Sequence, residues 1–273
     1  MRAWIQRQAR RSYGFTKWRL LRRLERQHSA PAVVVFSMGK VASTAVVGAL
    51  QRAGCRPVYK IHLLLPENVR RAEERYRRTD PTALPRHILH ASHVMRHLPT
   101  PAERWLVVSV VRDPVMRSVS EFFQSGARLG RLHDETTTRE LLERFCVEHG
   151  IPGTIDWFER ELEPTLGIDV YEHPFDPASG FTIIDTPAVK LLVLRQESLA
   201  AAPRALSLFL GLDRPVEVPR ENVASDKSYA GLYESVVAGV RLPHAALDLA
   251  YDSRFARHFY SPAEIEAMRA RWT

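Results

Sequence analysis

Val33-Val34-Val35-Phe36-Ser37-Met38-Gly39-Lys40-Val41-Ala42-Ser43-Thr44 is the stretch on which the fold turns. Its first four residues are all apolar, the pattern of a strand buried on both faces in a parallel sheet. From Ala42 to Ala53 the apolar spacing suits a helix, and Gly54 ends it. A buried strand, a short loop and a helix start together form a natural anion site. The first N–H groups of the helix and its dipole both point at whatever binds there. Gly39 serves the turn, Lys40 adds a point charge, and Ser43 and Thr44 add hydroxyls.

Outward from this stretch, strands and helices alternate. Val58–His62 predicts a second strand and residues 66–80 a solvated helix and loop. His87–His90 predicts a short third strand, and Trp105–Val111 is the clearest strand of all. Pro114 then falls in the first turn of a helix running to about Phe123, a position that favours proline. Residues 139–163 and 202–212 predict helices, 164–189 an irregular region with a hairpin at Phe181–Ile184, and Val189–Leu194 a late strand. The stretch 227–273 predicts mostly helix. The expected fold class is α/β, with a parallel sheet carrying helices on both faces. Residues 31–273 read as one domain and 1–30 as a basic N-terminal arm.

The 273 residues are 45% hydrophobic, enough for one large core. No apolar run approaches the roughly 18 residues of a membrane span, and the N-terminus lacks the apolar stretch of a signal peptide. Two cysteines, Cys55 and Cys146, are not a disulfide framework and suit a reducing cytoplasm. Residues 1–28 hold nine basic residues against Glu25, so they carry the whole net charge of +8. The rest is neutral overall, which argues against nucleic-acid binding by the fold. Trp4, Phe15 and Trp18 lie among those arginines. Such a segment either packs on the domain with its arginines in water or lies at an anionic membrane surface, here the inner face.

The loop departs from the nucleoside-triphosphatase pattern. That pattern needs glycine at position 34 and Ser or Thr at position 41, the latter to hold magnesium, and both positions are valine. A phosphate donor handled without metal is expected. A second segment follows the strong strand: Arg112-Asp113-Pro114-Val115-Met116-Arg117-Ser118-Val119-Ser120. Arg112 leaves the strand end as a forked donor, and Ser120 lies eight residues on.

The pair Gly-Lys-Val-Ala-Ser-Thr and Val-Arg-Asp-Pro-x-x-Arg-x-x-Ser resembles the two signatures by which carbohydrate sulfotransferases bind 3′-phosphoadenosine-5′-phosphosulfate (PAPS). Asp156-Trp157-Phe158, Gly167–Tyr171, Leu194–Leu199, Lys227-Ser228-Tyr229 and Tyr251-Asp252-Ser253 through His258-Phe259-Tyr260 resemble later blocks of the "putative capsular polysaccharide synthesis" family of bacterial sulfotransferase-like proteins. The resemblance spans about residues 32–265. It implies a phosphate-loop αβα sandwich with a mostly parallel central sheet. It also implies a PAPS-dependent transfer of a sulfuryl group to a carbohydrate hydroxyl, leaving 3′-phosphoadenosine-5′-phosphate (PAP). Ala42 stands where relatives often have glycine.

On this basis Gly39, Lys40, Val41, Ala42, Ser43 and Thr44 are expected to hold the 5′-phosphosulfate, and Arg112 and Ser120 the 3′-phosphate. Lys227, on a polar loop, is expected to close over that phosphate. Lys40 is the candidate for stabilising the leaving charge. Transfer also needs a base. The segment His90-Ala91-Ser92-His93-Val94 resembles the histidine-bearing segment of hexuronic-acid sulfotransferases, which favours His93, with His62 at the end of the second strand as the next choice. Asp113 is expected to cap its helix, Arg117 to be exposed, Glu197 to anchor a loop, and Trp157, Phe158 and Tyr171 to lie in the core. His87, His90, His93 and His97 have spacings that could gather imidazoles, but no Cys or acid falls among them and no metal is expected. Two other classes stay open: a kinase-like enzyme using ATP, and a non-catalytic polysaccharide-assembly protein at the membrane surface.

Overall fold

The structure, a computed structural model, describes residues 32–79, 84–97, 104–128, 151–219, 230–239 and 241–273. The basic arm, Cys146 and Lys227 lie outside these residues. The first half contains β1 (Val33–Phe36), α1 (Ser43–Arg52), β2 (Val58–Ile61), α2 (Pro66–Thr79), α3 (Arg86–His97), β3 (Trp105–Val111) and α4 (Pro114–Arg128). Then come α5 (Pro152–Ile155), a π-helical turn at Phe158–Leu162, α6 (Glu163–Leu166), β4 (Phe181–Asp185), β5 (Val189–Arg195) and α7 (Ala202–Leu210). The chain closes with α8 (Ala230–Gly239), α9 (His244–Tyr251), α10 (Arg254–Phe259) and α11 (Pro262–Ala270).

The strands form one sheet in the order β2-β1-β3-β5-β4. All neighbours are parallel except the β4–β5 pair. Every residue of β1 and every residue of β3 from Val107 to Val111 is buried, so both faces of the sheet centre are covered. The α/β fold class with a mostly parallel sheet is therefore correct. Because β1, β2 and β3 run the same way, the segments after Phe36, Ile61 and Val111 emerge at one rim, where ligands of open α/β sheets bind. A second apolar cluster joins α4 to the C-terminal helices through Val115, Phe123, Tyr233, Leu247, Tyr251 and Trp272. Phe123 is fully buried there and contributes about 1.5–3 kcal/mol.

Two expectations are corrected. His87–His90 is no strand and belongs to α3. Ile88, Ala91 and Val94 recur every third residue and are all buried, a helical stripe. Pro85 starts that helix, and its carbonyl accepts from the N–H of Ile88 at 3.0 Å and of Leu89 at 3.1 Å. The helix expected over 139–163 is, from Pro152 on, a set of short turns, because Pro152 and Pro164 each remove an N–H that a continuous helix needs. Among the described residues no helix is long and apolar enough to cross a membrane.

Candidate functional site

The loop between β1 and α1 is shaped by two residues with left-handed backbone, Lys40 (φ +71°) and Ala42 (φ +59°). Such residues turn successive N–H groups to one side and make an anion-binding concavity. Ala42 is also the residue before the first turn of α1, and it offers no side-chain acceptor to that turn. No acid stands in the turn either, so its N–H groups and the positive end of the helix dipole are left for a ligand. Val41 and Ser43 are buried, while Gly39, Lys40 and Thr44 line the cavity.

Two arginines from the second motif hold this loop. Arg112 Nη1 donates to the carbonyl of Lys40 at 2.9 Å, and Arg117 Nε donates to the carbonyl of Gly39 at 3.1 Å. These bonds occupy the carbonyls of two successive residues of the loop. Arg117, expected to be exposed, is instead packed in, its side chain only 17% accessible. It also donates to Thr154 Oγ1 at 3.3 Å and pairs with Glu121 Oε2 at 3.7 Å. The correction has a simple cause: one helical turn past Asp113, α4 carries position 117 back over the β1 loop. Ser120 lies on α4, partly buried, one turn beyond Arg117.

Asp113 caps α4 as expected. Its Oδ1 accepts from the N–H of Val115 at 2.9 Å and of Met116 at 3.2 Å, and from Tyr251 Oη at 3.1 Å. Burial pushes its carboxyl up to about 6, against those amides, and Glu197 adds to the rise. Glu197 anchors as expected: Oε1 accepts from the Asp113 amide at 2.8 Å and Oε2 from Tyr260 Oη at 3.1 Å. Arg195, buried beside it, donates to the carbonyl of Phe259 at 3.2 Å and pairs with Glu264 at 2.8 Å. The Leu194–Leu199 block thus ties the ends of β3 and β5 to the C-terminal helices.

His62 follows β2 and stands over the loop. Its Nδ1 lies 2.6 Å from the carbonyl of Ser37, so Nδ1 carries the proton and Nε2 keeps its lone pair. The Trp157 indole donates to the His62 carbonyl at 3.1 Å, and Trp157 packs edge-on against Phe36 of β1 at 5.1 Å. Buried Glu161 accepts from the Leu64 amide at 3.1 Å and Asn68 Nδ2 at 2.6 Å, which fixes the segment just beyond. Burial, then His87, lowers the pKa of His62 to about 3, with Lys60 and Arg117 adding to the fall. The imidazole is therefore neutral at working pH.

Gly39 locates the focus of the site. It has no positive φ, and a Cβ there would meet only ordinary contacts: Glu121 Oε2 at 3.7 Å, His62 Nε2 at 3.9 Å and Arg117 Nη2 at 4.0 Å. The backbone does not require glycine here. Its missing side chain leaves open the point on which a base nitrogen, a carboxylate and a guanidinium converge.

The other histidines divide. His93 is buried on α3, its ring stacked on Tyr59 at 5.2 Å and its Nε2 3.2 Å from Tyr59 Oη. It is not part of the cavity wall, whereas His62, His87 and His90 are. His90 Nδ1 lies 3.0 Å from the amide of Lys60, on the outer edge of β2. Lys60 Nζ reaches across to Thr44 Oγ1 at 2.7 Å. The cavity that these groups line encloses about 690 Å³ between the β1 loop and the β2–α3 side. Sequence reasoning missed Lys60, Arg86 and Glu121 as members of the site. Only Glu121 had a readable signal, one turn beyond Arg117 on the same helix face.

Residues 134–261 match the family model described as "putative capsular polysaccharide synthesis protein". This is the family whose later blocks the sequence resembles, and the β1 loop and Arg112 lie outside the matched residues. No curated protein matches the chain. A solved structure, a sulfotransferase from Alicyclobacillus acidocaldarius, is 14% identical with a TM-score of 0.34, the alignment covering 83% of this chain and 97% of that one.

Proposed function

We propose that this chain is a sulfotransferase that takes PAPS as donor and sulfates a hydroxyl of a carbohydrate. The observation that carries it is the convergence at Gly39. A loop with carbonyls tied back by Arg112 and Arg117 meets a neutral histidine whose accepting nitrogen faces the same open point. The match to a polysaccharide-synthesis family supports a carbohydrate acceptor.

In this scheme the N–H groups of Val41–Thr44, with the Thr44 hydroxyl, hold the 5′-phosphate of the donor. Lys40 stabilises the charge that gathers on the leaving phosphate. Arg112 holds the Lys40 carbonyl through Nη1 and, with the other donors of its guanidinium, meets the 3′-phosphate together with Ser120 and Lys227. The acceptor oxygen bonds to sulfur while the bond between sulfur and the bridging phosphate oxygen breaks. The hydroxyl proton passes to His62 Nε2, leaving a sulfate ester and PAP. The donor's negative charge offsets the cations that depress His62, so its pKa rises in the complex. His93, the first choice from sequence, acts behind the site by holding Tyr59.

The test is a transfer assay with isotopically labelled PAPS and a panel of saccharides, read by mass spectrometry. Labelled sulfate esters formed by the wild type but not by Lys40→Ala support the assignment. Transfer of equal rate in both would remove Lys40, and with it the donor loop, from the chemistry.

A further inference from the structure

Among the described residues that line the cavity, Lys40, Lys60, Arg75, Arg86 and Arg117 are cations, and Glu121 is the one acid. That acid stands at the focus of the site. Glu121 Oε2 lies 3.7 Å from the place a Gly39 Cβ would take, and His62 Nε2 lies 3.9 Å from the same place. The helix dictates the position, since Glu121 follows Arg117 by one turn of α4. Ser125, one turn further, donates its hydroxyl to Oε1 at 3.1 Å. Oε2 is left on the cavity side, 3.7 Å from Arg117 Nη2, which is too long for a hydrogen bond. Arg117 is held elsewhere, through Nε to the Gly39 carbonyl and Nη1 to Thr154.

A carboxylate at this point opposes any anion placed there, so it has to be explained by what it keeps out. Cations alone would favour whichever nucleotide carries more negative charge. A terminal sulfuryl group carries one negative charge and no ionisable proton. A terminal phosphoryl group of the same shape carries a second charge above its second pKa of about 6. Coulomb energy scales with the product of the charges, so Glu121 repels the phosphoryl group about twice as strongly as the sulfuryl group. Phosphosulfate and diphosphate nucleotides differ only in this terminal group, and the carboxylate sits where the terminal group lies.

We infer that Glu121 is a specificity residue for the donor: it admits a terminal sulfuryl monoanion and disfavours a terminal phosphoryl dianion. The inference rests on the proposed donor reading, in which the transferred group lies over Gly39 facing His62 Nε2.

Calorimetry without acceptor or added metal tests it. The probes are PAPS, 3′-phosphoadenosine-5′-diphosphate, which has a terminal phosphoryl where PAPS has sulfuryl, and PAP. The wild type should bind PAPS about ten-fold more tightly than the diphosphate. Glu121→Gln should bring the two within about two-fold, chiefly by tightening the diphosphate, with the melting temperature confirming the fold. Glu121→Asp, which keeps the charge, should keep most of the preference. Equal binding of the two nucleotides by the wild type, an unchanged ratio in Glu121→Gln, or an equally narrow gap in Glu121→Asp would each overturn the inference. So would magnesium-dependent tightening of the diphosphate that Glu121→Gln abolishes, because Glu121 would then be a metal ligand. PAP binding with no preference between the other two sinks this inference alone. Binding of none of the three sinks the donor reading and the inference with it.

Discussion

On the β1–α1 side the cavity is lined by Gly39, Lys40 and Thr44, in a loop whose Lys40 and Gly39 carbonyls are held by Arg112 and Arg117. On the β2–α3 side it is lined by Lys60, His62, Arg86 and His90, drawn from one strand, its following loop and one helix. The first surface suits a phosphate-like group and is written in a short motif. The second is specific to the partner it meets and is written nowhere as a motif. If that division is right, variants of the loop and its braces disturb the donor, and variants of the opposite wall disturb the acceptor and the proton.

The largest effects are expected where the two sides meet. Lys40→Ala should lower turnover by about 10²-fold or more while PAP affinity falls far less, because the lysine acts mainly as charge develops on the leaving group. A parallel loss in both would make it a binding residue only. On the opposite wall, His62→Ala should lose roughly 10²-fold or more in turnover with PAP binding retained. His93→Ala should keep turnover within a few-fold and lose stability, by about 1–3 kcal/mol for a buried, hydrogen-bonded side chain. The opposite pattern, with His93→Ala dead and His62→Ala active, would reverse the roles.

Next come the braces. Arg117→Ala frees the Gly39 carbonyl and should weaken PAP by about ten-fold. Arg112→Ala should do the same and also blunt discrimination between PAPS and adenosine phosphosulfate lacking the 3′-phosphate. Gly39→Ala probes the space itself. Its backbone tolerates a side chain and its Cβ would meet no clash, so the melting temperature should hold while donor affinity drops. A drop in melting temperature with donor affinity intact would make Gly39 a structural glycine.

His62 also sets a pH dependence. Its folded pKa of about 3 lies below the ordinary 6.5, so the unfolded chain takes the proton first as pH falls. Stability is lost progressively from about pH 6.5 downward and its share levels off near pH 3. His90, held to about 4, acts in the same direction. Asp113 opposes both: with its carboxyl raised from 3.8 to about 6, the folded form is the more protonated one and its share of stability grows as pH falls through that window. His62→Gln should therefore show a shallower fall in urea midpoint from pH 7 to pH 4.5 than the wild type. An identical slope would contradict a depressed His62.

The smallest effect concerns Ala42. A non-glycine residue at φ +59° is strained, and Ala42→Gly should raise stability by up to about 1 kcal/mol. Donor affinity should be unchanged or slightly better. Loss of stability would mean that the alanine methyl makes a packing contact worth more than the strain.

How far each side could be read from sequence follows from how it is built. The run Val33–Phe36 and the loop after it are local, so β1, the loop and α1 were legible from a dozen residues. Asp113 was legible as a cap for the same reason. The bracing by Arg112 and Arg117 was not, because it depends on the parallel pairing of β1 with β3, which puts the two loops side by side. His87–His90 misled because two apolar residues between polar ones fit a short strand and a helix equally well. The decisive residues were Pro85, Ala91 and Val94, just outside that window. His93, favoured by resemblance, lies on α3 and faces Tyr59. Lys60 and Arg86 carry no signal at all until β2 and α3 are seen to pack.

The most direct measurement of the central claim is calorimetric titration of the full chain with PAP, with 5′-AMP, which lacks the 3′-phosphate, and with ATP plus magnesium. The account predicts that PAP binds without added metal, at least about ten-fold more tightly than 5′-AMP, and that Arg112→Ala narrows that gap. Magnesium-dependent binding of ATP with no preference for PAP would contradict it and turn the loop over to a kinase-like chemistry.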